Sequence, residues 1–264
     1  MPLLLASVLY IFQGFASADI RALPVDSAEI ANPPALSGPA NELHLARLVF
    51  GHGAHSNWGP GRPWWRIDWP SAEYFFTGGV QRYTSIDIAP DSVHINLLDP
   101  SIFDYPWLFA QQVGRWYLSD EEVLALREYL LRGGFLVVDD FHGPVQWQVF
   151  ESVMQRTLPG RRIEDLGAGD QLMNVLYELD QRTQIPGRRH LRGNSGSQVR
   201  VDMPHSPPRW RGIHDEDGRL MVAVNFNMDM GDAWEHADDP VYPVPMTSLA
   251  YRFGINYVVY AMTH

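Results

Sequence analysis

Apolar runs alternate with amphipathic stretches along most of the chain, a pattern that predicts strands and helices in turn. Three apolar or β-branched runs that end in glycine or polar residues predict strands at residues 43–53, 92–99 and 105–112. Residues 118–134 predict a helix, because Ser119 and Glu122 have the spacing of a capping box and two glycines end the pattern. Phe135–Val138 follows, and its unbroken apolar character is typical of a strand covered on both faces in a parallel sheet.

Further elements continue this pattern on both sides. A helix is predicted after Pro70 with Ser71 as its cap, and another at residues 145–158, directly after the buried strand. Residues Arg209–Asn227 predict a β-hairpin around an Asp-Gly turn, and residues 246–264 predict an apolar C-terminal helix. We therefore expect one α/β domain over residues 42–264, with a mostly parallel sheet, a β-hairpin excursion and a C-terminal helix.

The first 41 residues predict two segments outside that domain. Residues 1–18 contain an apolar core and end in Ala16-Ser17-Ala18, the pattern of a signal peptide or of an N-terminal anchor. Residues 19–41 are rich in proline and alanine without periodicity, which is typical of a linker. We expect an exported protein, either periplasmic or membrane-anchored and facing the periplasm. Contact with a membrane is expected only through an uncleaved N-terminal segment.

Composition removes several classes of chemistry. The chain has no cysteine, and all 20 of its basic residues are arginine, so thiolate nucleophiles, Schiff-base lysines and a phosphate-loop lysine are excluded. Its formal net charge of -11 argues against a general nucleic-acid partner, because such a partner requires a basic face. The patterns of a serine-hydrolase elbow, a phosphate-binding loop and a dinucleotide-binding turn do not occur in the sequence.

Four segments carry a resemblance to a known family. They are WWRIDWPSAEYFFTGGVQRYTSI, YLSDEEVLALREYLLRGGFLVVDDFHG, DMGDAWEH and YRFGINYVVYAMT. These segments resemble a bacterial family called domain of unknown function 4159, which implies a flavodoxin-like, class I glutamine amidotransferase-like doubly wound fold and no particular activity. GGFLVVDDFHG is more distantly similar to the trehalose-utilisation (ThuA-like) branch of that fold. Glutamine amidotransferases use a cysteine nucleophile, so the absence of cysteine argues against their activity here.

The strongest candidate chemistry lies just after the predicted buried strand. Ligands of open α/β sheets bind outside the carboxyl ends of the strands, and Asp139, Asp140 and His142 fall at such an end. Asp99 is expected at the same edge if its strand is parallel, and it is then a weaker catalytic candidate that would assist the pair. The functional interpretation is an acid/base pair of Asp140 and His142, or a divalent-metal site. The structural alternative is that Asp139 or Asp140 caps the following helix.

Other candidates lie in loops. GDAWEHADD contributes Asp232 and Glu235, of which Glu235 is a weaker catalytic candidate, with His236 as a metal ligand and Trp234 as either a ligand contact or a packing anchor. His52 and His55 follow the first strand and are further metal candidates, together with Asp139, His142 and His236. Arginine forks in the segment from Arg188 to Gly193 would suit a phosphate or carboxylate, although exposed charge runs more often have no specific partner.

A segment dense in tryptophan and arginine precedes the first predicted helix. Its candidate ligand-binding residues are Trp64, Trp65, Trp69 and Arg66. Such side chains stack on sugar rings or dock to a protein, and they equally well cover the edge of a sheet as a satellite core.

The functional expectation is a non-catalytic module of the bacterial cell envelope that binds a small-molecule or sugar ligand or an envelope protein. The alternative is a ThuA-like hydrolase or isomerase that acts on a carbohydrate or a small carbonyl compound through an Asp/His acid–base pair, with or without a metal. No organic cofactor is expected, and a divalent metal is the only inorganic one considered.

Overall fold

The computed structural model describes residues 42–52, 63–180, 183–192, 200–201 and 208–264. A seven-stranded sheet in this part of the chain has the order β3-β1-β4-β6-β11-β10-β7. Its strands are β1 (Ala46–Val49), β3 (Val93–Asn96), β4 (Trp107–Gln111), β6 (Phe135–Phe141), β7 (Glu164–Asp165), β10 (Arg209–His214) and β11 (Leu220–Phe226). Two short antiparallel pairs join β2 (Gly51–His52) to β5 (Trp116–Tyr117) and β8 (Leu191–Arg192) to β9 (Arg200–Val201).

The sheet confirms the predicted fold class. Strands β3, β1, β4, β6 and β11 pair in parallel, while β10 and β7 are antiparallel additions at one edge. Counted along the chain, the five parallel strands have the order 2-1-3-4-5, which is the flavodoxin-like order. The predicted hairpin is β10 and β11, and its turn contains Asp217 and Gly218, which has a φ of 86°.

Helices cover both faces of the sheet. They are α1 (Ser71–Tyr83), α2 (Asp120–Leu131), α3 (Gly143–Thr157), α4 (Met230–Glu235) and α5 (Val244–Thr263). Helices α1, α4 and α5 pack together on one face, and α2 packs with α3 on the other. The capping box of Ser119 and Glu122 is present. Ser71 is the first residue of α1 and not its cap, because the N-cap position belongs to Pro70.

The apolar core explains the continuous character of the central strands. Phe135 and Val137 of β6 join the core beneath α1 and α5. Leu136 and Val138 alternate with them and point to the opposite face of the sheet, where they are also buried, so the strand is buried along its whole length. Among the described helices, none combines the length and the apolarity needed to cross a membrane.

The strand order also predicts where ligands bind. The chain passes from β1 to β3 on one side and then to β4 on the other, so the order reverses between β1 and β4. In doubly wound sheets the crevice outside the carboxyl ends of the strands at such a reversal is the usual binding site. Gln111 ends β4 at this edge, and Asp139 of β6 lies beside it in the strand register.

Candidate functional site

The carboxyl end of β6 places one acid in the core of the domain. Asp139 is fully buried, and its Oδ2 accepts backbone hydrogen bonds from Met230 at 2.7 Å and Gly231 at 3.2 Å. Its other oxygen, Oδ1, is buried without a hydrogen-bond partner in the described part of the chain. Burial, together with the neighbouring Asp140 carboxylate, raises the pKa of Asp139 to about 7.

Asp140 leaves the strand conformation and turns towards a histidine. Its φ of 51° lies in the left-handed region, which is uncommon for a residue with a side chain. Its Oδ1 lies 2.9 Å from His142 Nε2, and its Oδ2 accepts a hydrogen bond from Gln112 Nε2. The Nδ1 atom of His142 is buried and has no hydrogen-bond partner among the described residues.

Neither acid caps the following helix. The N-cap of α3 is His142, and no side chain provides a capping hydrogen bond there. The His142 backbone amide instead donates to Gln146 Oε1 at 2.6 Å. The structural alternative for Asp139 and Asp140 is therefore wrong, because their carboxylates contact α4, Gln112 and His142.

Two further acids, Asp229 and Asp232, follow the neighbouring strand β11. Asp229 is buried and caps α4 by accepting a hydrogen bond from the Asp232 amide at 3.0 Å. Burial, with the charges of Asp140 and Asp232, raises the pKa of Asp229 well above its usual value. Between the two strand ends, Asn227 Oδ1 accepts a hydrogen bond from the Gly143 amide at 2.9 Å, which ties β11 to the start of α3.

Asp68 reaches the same edge from the segment before α1. It has a φ of 63°, and its Oδ2 accepts a hydrogen bond from Gln111 Nε2 at 2.7 Å. Gln111 is oriented in turn by the buried Arg47, whose Nη1 donates to Gln111 Oε1 at 2.6 Å. Burial, followed by the charges of Asp232 and Asp140, raises the pKa of Asp68 well above its usual value.

These side chains form one group, which we call the acid cluster. It consists of Asp68, Asp139, Asp140, Asp229, Asp232 and Glu235 with the histidines His142 and His236. Three overlapping sets have ligand atoms within 4.8 Å of one another: Asp140 with His142 and Asp229, Asp68 with Asp229 and Asp232, and Asp232 with Glu235 and His236. Carboxylate oxygens and imidazole nitrogens together suit a divalent cation such as Mn²⁺ or Mg²⁺.

Comparison with family models places this site in a known family. The model described as Domain of unknown function (DUF4159) matches residues 44–262. The chain belongs to this family. No curated protein matches the chain. The acid cluster of this DUF4159 chain lies entirely within the matched residues, so it is part of the family domain.

A short segment of the DUF4159 chain forms one wall of the acid cluster. Gln184 donates to the Asn227 carbonyl at 2.8 Å, and the Ile185 carbonyl accepts from the Asp229 amide at 2.9 Å. The Arg188 amide donates to Asp232 Oδ2 at 2.6 Å. These bonds fix residues 184–190 across the end of β11. Gly187, just before Arg188, packs closely against the cluster, since a Cβ at this position would lie 2.6 Å from Asp229 Oδ2.

Aromatic or cation–π contacts hold the four tryptophans of the DUF4159 chain that were predicted to bind a ligand: Trp64, Trp65, Trp69 and Trp234. Trp234 is buried and stacks on Phe76 with ring centroids 4.2 Å apart, so it anchors α4 to α1 and offers no exposed face to a ligand. Of the two roles expected for Trp234, its burial favours the packing anchor over the ligand contact. Trp64 and Trp65 are also buried, which favours their role as a satellite core over sugar stacking.

Trp69 is the partly exposed member of this group. It packs edge-on against His94 at 4.6 Å, and the guanidinium of Arg66 lies 4.7 Å from its ring. Trp65 also packs edge-on against this imidazole, with ring centroids 4.9 Å apart. Burial, with the charges of Arg47 and Arg66, lowers the pKa of His94 to about 4, so the aromatic group surrounds a neutral histidine.

Asp99 belongs to none of the three ligand sets, and the side chains of the two early histidines fall outside what the structure describes. Asp99 caps a short 3-10 helix, where its Oδ1 accepts from the Ser101 amide at 2.9 Å and from the Ser101 hydroxyl at 2.7 Å. Burial and the charge of Asp104 raise the pKa of Tyr105, and the charge of Asp99 raises it further. His52 belongs to β2, but its side chain lies outside the described residues, as does all of His55.

Sequence reasoning missed two members of the cluster. Asp68 and Asp229 lie in loops, and each reaches the edge through a local backbone feature: a left-handed residue at Asp68 and an N-cap at Asp229. The sequence signals for Asp229 are its position after a strand and before a short helix, and its place at the start of the segment DMGDAWEH.

Proposed function

We propose that this DUF4159 chain binds a divalent cation in the acid cluster and, through that cation, a small oxygen-rich ligand. The observation that carries this proposal is the convergence of three overlapping carboxylate and imidazole sets at the ligand-binding edge of the sheet. Two of these sets contain a histidine, His142 or His236, which an accidental patch of surface acids does not require. Asp140, Asp229 and the neighbouring Asp139 are buried rather than solvated.

The raised carboxylate pKa values of the acid cluster also support the binding of a cation. Burial of several carboxylates at one place disfavours their ionisation, and the raised pKa values of Asp68, Asp139 and Asp229 express that cost. A bound cation reverses the effect, because it stabilises the ionised form of each carboxylate near it. The buried Oδ1 of Asp139, which has no hydrogen-bond partner in the described residues, is a further oxygen that a bound ion or its water would satisfy.

A second candidate is a metal-assisted hydrolase or isomerase that acts on a carbohydrate or a small carbonyl compound. The hydrogen bond between Asp140 Oδ1 and His142 Nε2 favours it, because a carboxylate that accepts from Nε2–H leaves the lone pair on Nδ1. In hydrolysis, a water that enters beside the buried Nδ1 would give its proton to that atom as the water oxygen bonds to the electrophilic carbon. The same proton would pass to the leaving group as its bond breaks.

The site of action that we propose is the cell envelope. This part of the proposal rests on the apolar start of the sequence and its Ala16-Ser17-Ala18 motif, which lie outside the described residues. An envelope protein is the alternative partner for the same module. Fractionation of cells that express the full chain tests the location, and recovery in the cytoplasmic fraction alone would contradict it.

Titration with Mn²⁺ tests the binding function directly. The electron paramagnetic resonance signal of free Mn²⁺ should fall as the purified protein is added. Asp140→Asn and His142→Ala should each weaken binding at least about tenfold, which corresponds to about 1.4 kcal/mol. Asp165→Asn is the control, because Asp165 lies in the edge strand β7 and pairs with Arg211 at 2.9 Å. No loss of free signal with the wild-type protein would overturn the proposal.

A separate measurement decides between binding and catalysis. Sugars and small carbonyl compounds are incubated with the Mn²⁺-loaded protein and followed by proton NMR. Unchanged spectra with line broadening of a bound compound support the binding function. New product signals that vanish in His142→Ala support the enzyme.

A further inference from the structure

The wall of the acid cluster presents basic side chains beside its most buried acids. Arg188 turns away from the cluster, since its Nε donates to Asp239 Oδ2 at 2.8 Å. The next residue, Arg189, points the other way: its Nη2 lies 3.8 Å from Asp140 Oδ1, and its side chain is 58% exposed. Consecutive arginines therefore have different roles, one fixing the wall and one reaching the rim of the site.

Two imidazoles accompany the Arg189 guanidinium. Arg189 Nε donates to His190 Nε2 at 2.9 Å, which fixes the two side chains relative to each other. The ring of His190 lies 5.9 Å from that of His142, the histidine of the acid cluster. One guanidinium and two imidazoles therefore lie next to one another beside the carboxylate of Asp140.

The arrangement juxtaposes both signs of charge in a way that suits one class of ligand. An approach of 3.8 Å is longer than a hydrogen bond, so the contact between Arg189 and Asp140 is not a bidentate fork. Arginine forks match carboxylate and phosphate oxygens, and the exposed part of the Arg189 side chain is within reach of a ligand in solution. A cation in the acid cluster would neutralise the carboxylates that otherwise repel an anion.

We propose that Arg189 and His190 recognise an oxyanion of the ligand, a phosphate or a carboxylate, at a position adjacent to the cation. This inference rests on the proposed function, since it assigns the substrate class of the same site. The ligand is therefore an anionic compound whose oxygens contact the cation on one side and the guanidinium on the other. Because the two charges cooperate, anion and cation each strengthen the binding of the other by the same factor.

Calorimetric titration with inorganic phosphate and with malonate, each with and without Mg²⁺, tests this inference and separates the two oxyanion chemistries. Arg189→Ala should weaken the binding of the recognised anion at least tenfold, and Arg189→Lys should recover only part of the loss because lysine lacks the fork. Arg209→Ala is the matched control, because Arg209 is a similarly exposed arginine in β10 that pairs with Asp165 at 3.2 Å. Omission of Mg²⁺ should weaken the anion binding of the wild-type protein.

The outcomes of the two proposals are distinguishable. Arg189→Ala should still bind Mn²⁺, measured by paramagnetic resonance, because no set of cation ligands includes Arg189. Failure of the wild-type protein to bind Mn²⁺ overturns the proposed function, whatever the anion titrations give. Equal anion affinity in wild type and Arg189→Ala, or no binding of either anion, overturns the assignment of an oxyanion to Arg189.

Discussion

The acid cluster differs in structure from the tryptophan group, by which we mean Trp64, Trp65, Trp69 and Arg66. Both sets of residues include side chains close to the start of a helix. The acids converge from separate segments at the edge of the sheet, whereas Trp64 and Trp65 are buried. Much of the difference follows from where the residues stand relative to the strands. Residues at or just after the ends of β6 and β11 lie at the carboxyl edge, whereas the segment before α1 sends Asp68 to that edge and buries Trp64 and Trp65.

The two regions also respond to charge in opposite ways. In the acid cluster, burial raises the pKa of Asp139 to about 7, so deprotonation there costs stability. In the tryptophan group, burial lowers the pKa of His94 to about 4, so protonation there costs stability. Only the first region has several like charges whose repulsion a ligand could relieve. Variants can therefore separate a binding site from a packing site.

The largest expected effect is on packing. Trp65→Ala removes a buried indole that contacts His94, and we expect the free energy of unfolding to fall by about 3–5 kcal/mol, as for other buried aromatic residues. Urea unfolding followed by circular dichroism measures it. Trp65→Phe keeps a ring and should cost less. A loss below about 1 kcal/mol for Trp65→Ala would show that the tryptophan group is not a satellite core.

The next effect is a pH dependence. His94 has a usual pKa of 6.5 and a folded pKa of about 4, so its contribution to stability is complete above pH 6.5 and is lost as the pH falls towards 4. A shift of this size corresponds to about 3 kcal/mol. Unfolding free energies of wild type and His94→Gln, measured between pH 4 and 7, should diverge in slope, with the variant flatter. Parallel curves would contradict a neutral, enclosed His94.

A smaller free-energy change is expected for cation binding. Asp229→Asn should weaken Mn²⁺ binding about 10- to 100-fold, or about 1.4–2.7 kcal/mol, since Asp229 belongs to two of the three ligand sets. Asparagine is as good an N-cap as aspartate, so helix α4 should persist. Stability without cation should stay equal or increase, because Asp229 is an acid whose pKa burial has raised.

The matched control for that variant is Asp170→Asn. Asp170 also caps a short helix, by accepting from the Leu172 amide at 3.0 Å, and it lies in none of the three ligand sets. Its Mn²⁺ affinity should equal that of the wild type. Equal affinities for all three proteins would remove Asp229 from the site.

The smallest effect is expected at Asp99. Asp99→Ala removes the cap of a 3-10 helix, and we expect a loss of about 1 kcal/mol in stability with unchanged Mn²⁺ affinity. Thermal unfolding and the same cation titration measure both quantities. A weaker Mn²⁺ affinity would return Asp99 to the site, where the sequence had placed it.

The fold was predictable because its signals are local. The capping box at Ser119 and the apolar run of β6 each specify an element within a few residues, and the alternation of elements implies a parallel sheet. Asp140 and His142 were predictable for the same reason, since Asp140 lies near the end of β6 and His142 directly follows it. Asp68 was not, because its place depends on a left-handed backbone and on a hydrogen bond to Gln111 from another strand.

The tryptophans, by contrast, have roles that the sequence alone does not predict. Stacking on a sugar and burial in a core both require large aromatic surfaces, so residue type alone does not distinguish them. What decides the matter is a tertiary contact, such as the stacking of Trp234 on Phe76, and such contacts have no signal in a single sequence. The β-hairpin and the C-terminal helix, by contrast, were evident from their turn and periodicity.

Crystals soaked in Mn²⁺ and measured for anomalous scattering provide the most direct test of the central claim. We expect an anomalous peak at the carboxyl edge of the sheet, within bonding distance of carboxylate oxygens from at least two of Asp68, Asp140, Asp229 and Asp232. In Asp229→Asn crystals the peak should weaken or disappear. A peak elsewhere on the molecule, or no peak at a concentration that saturates the solution titration, would contradict the assignment of the acid cluster as the cation site.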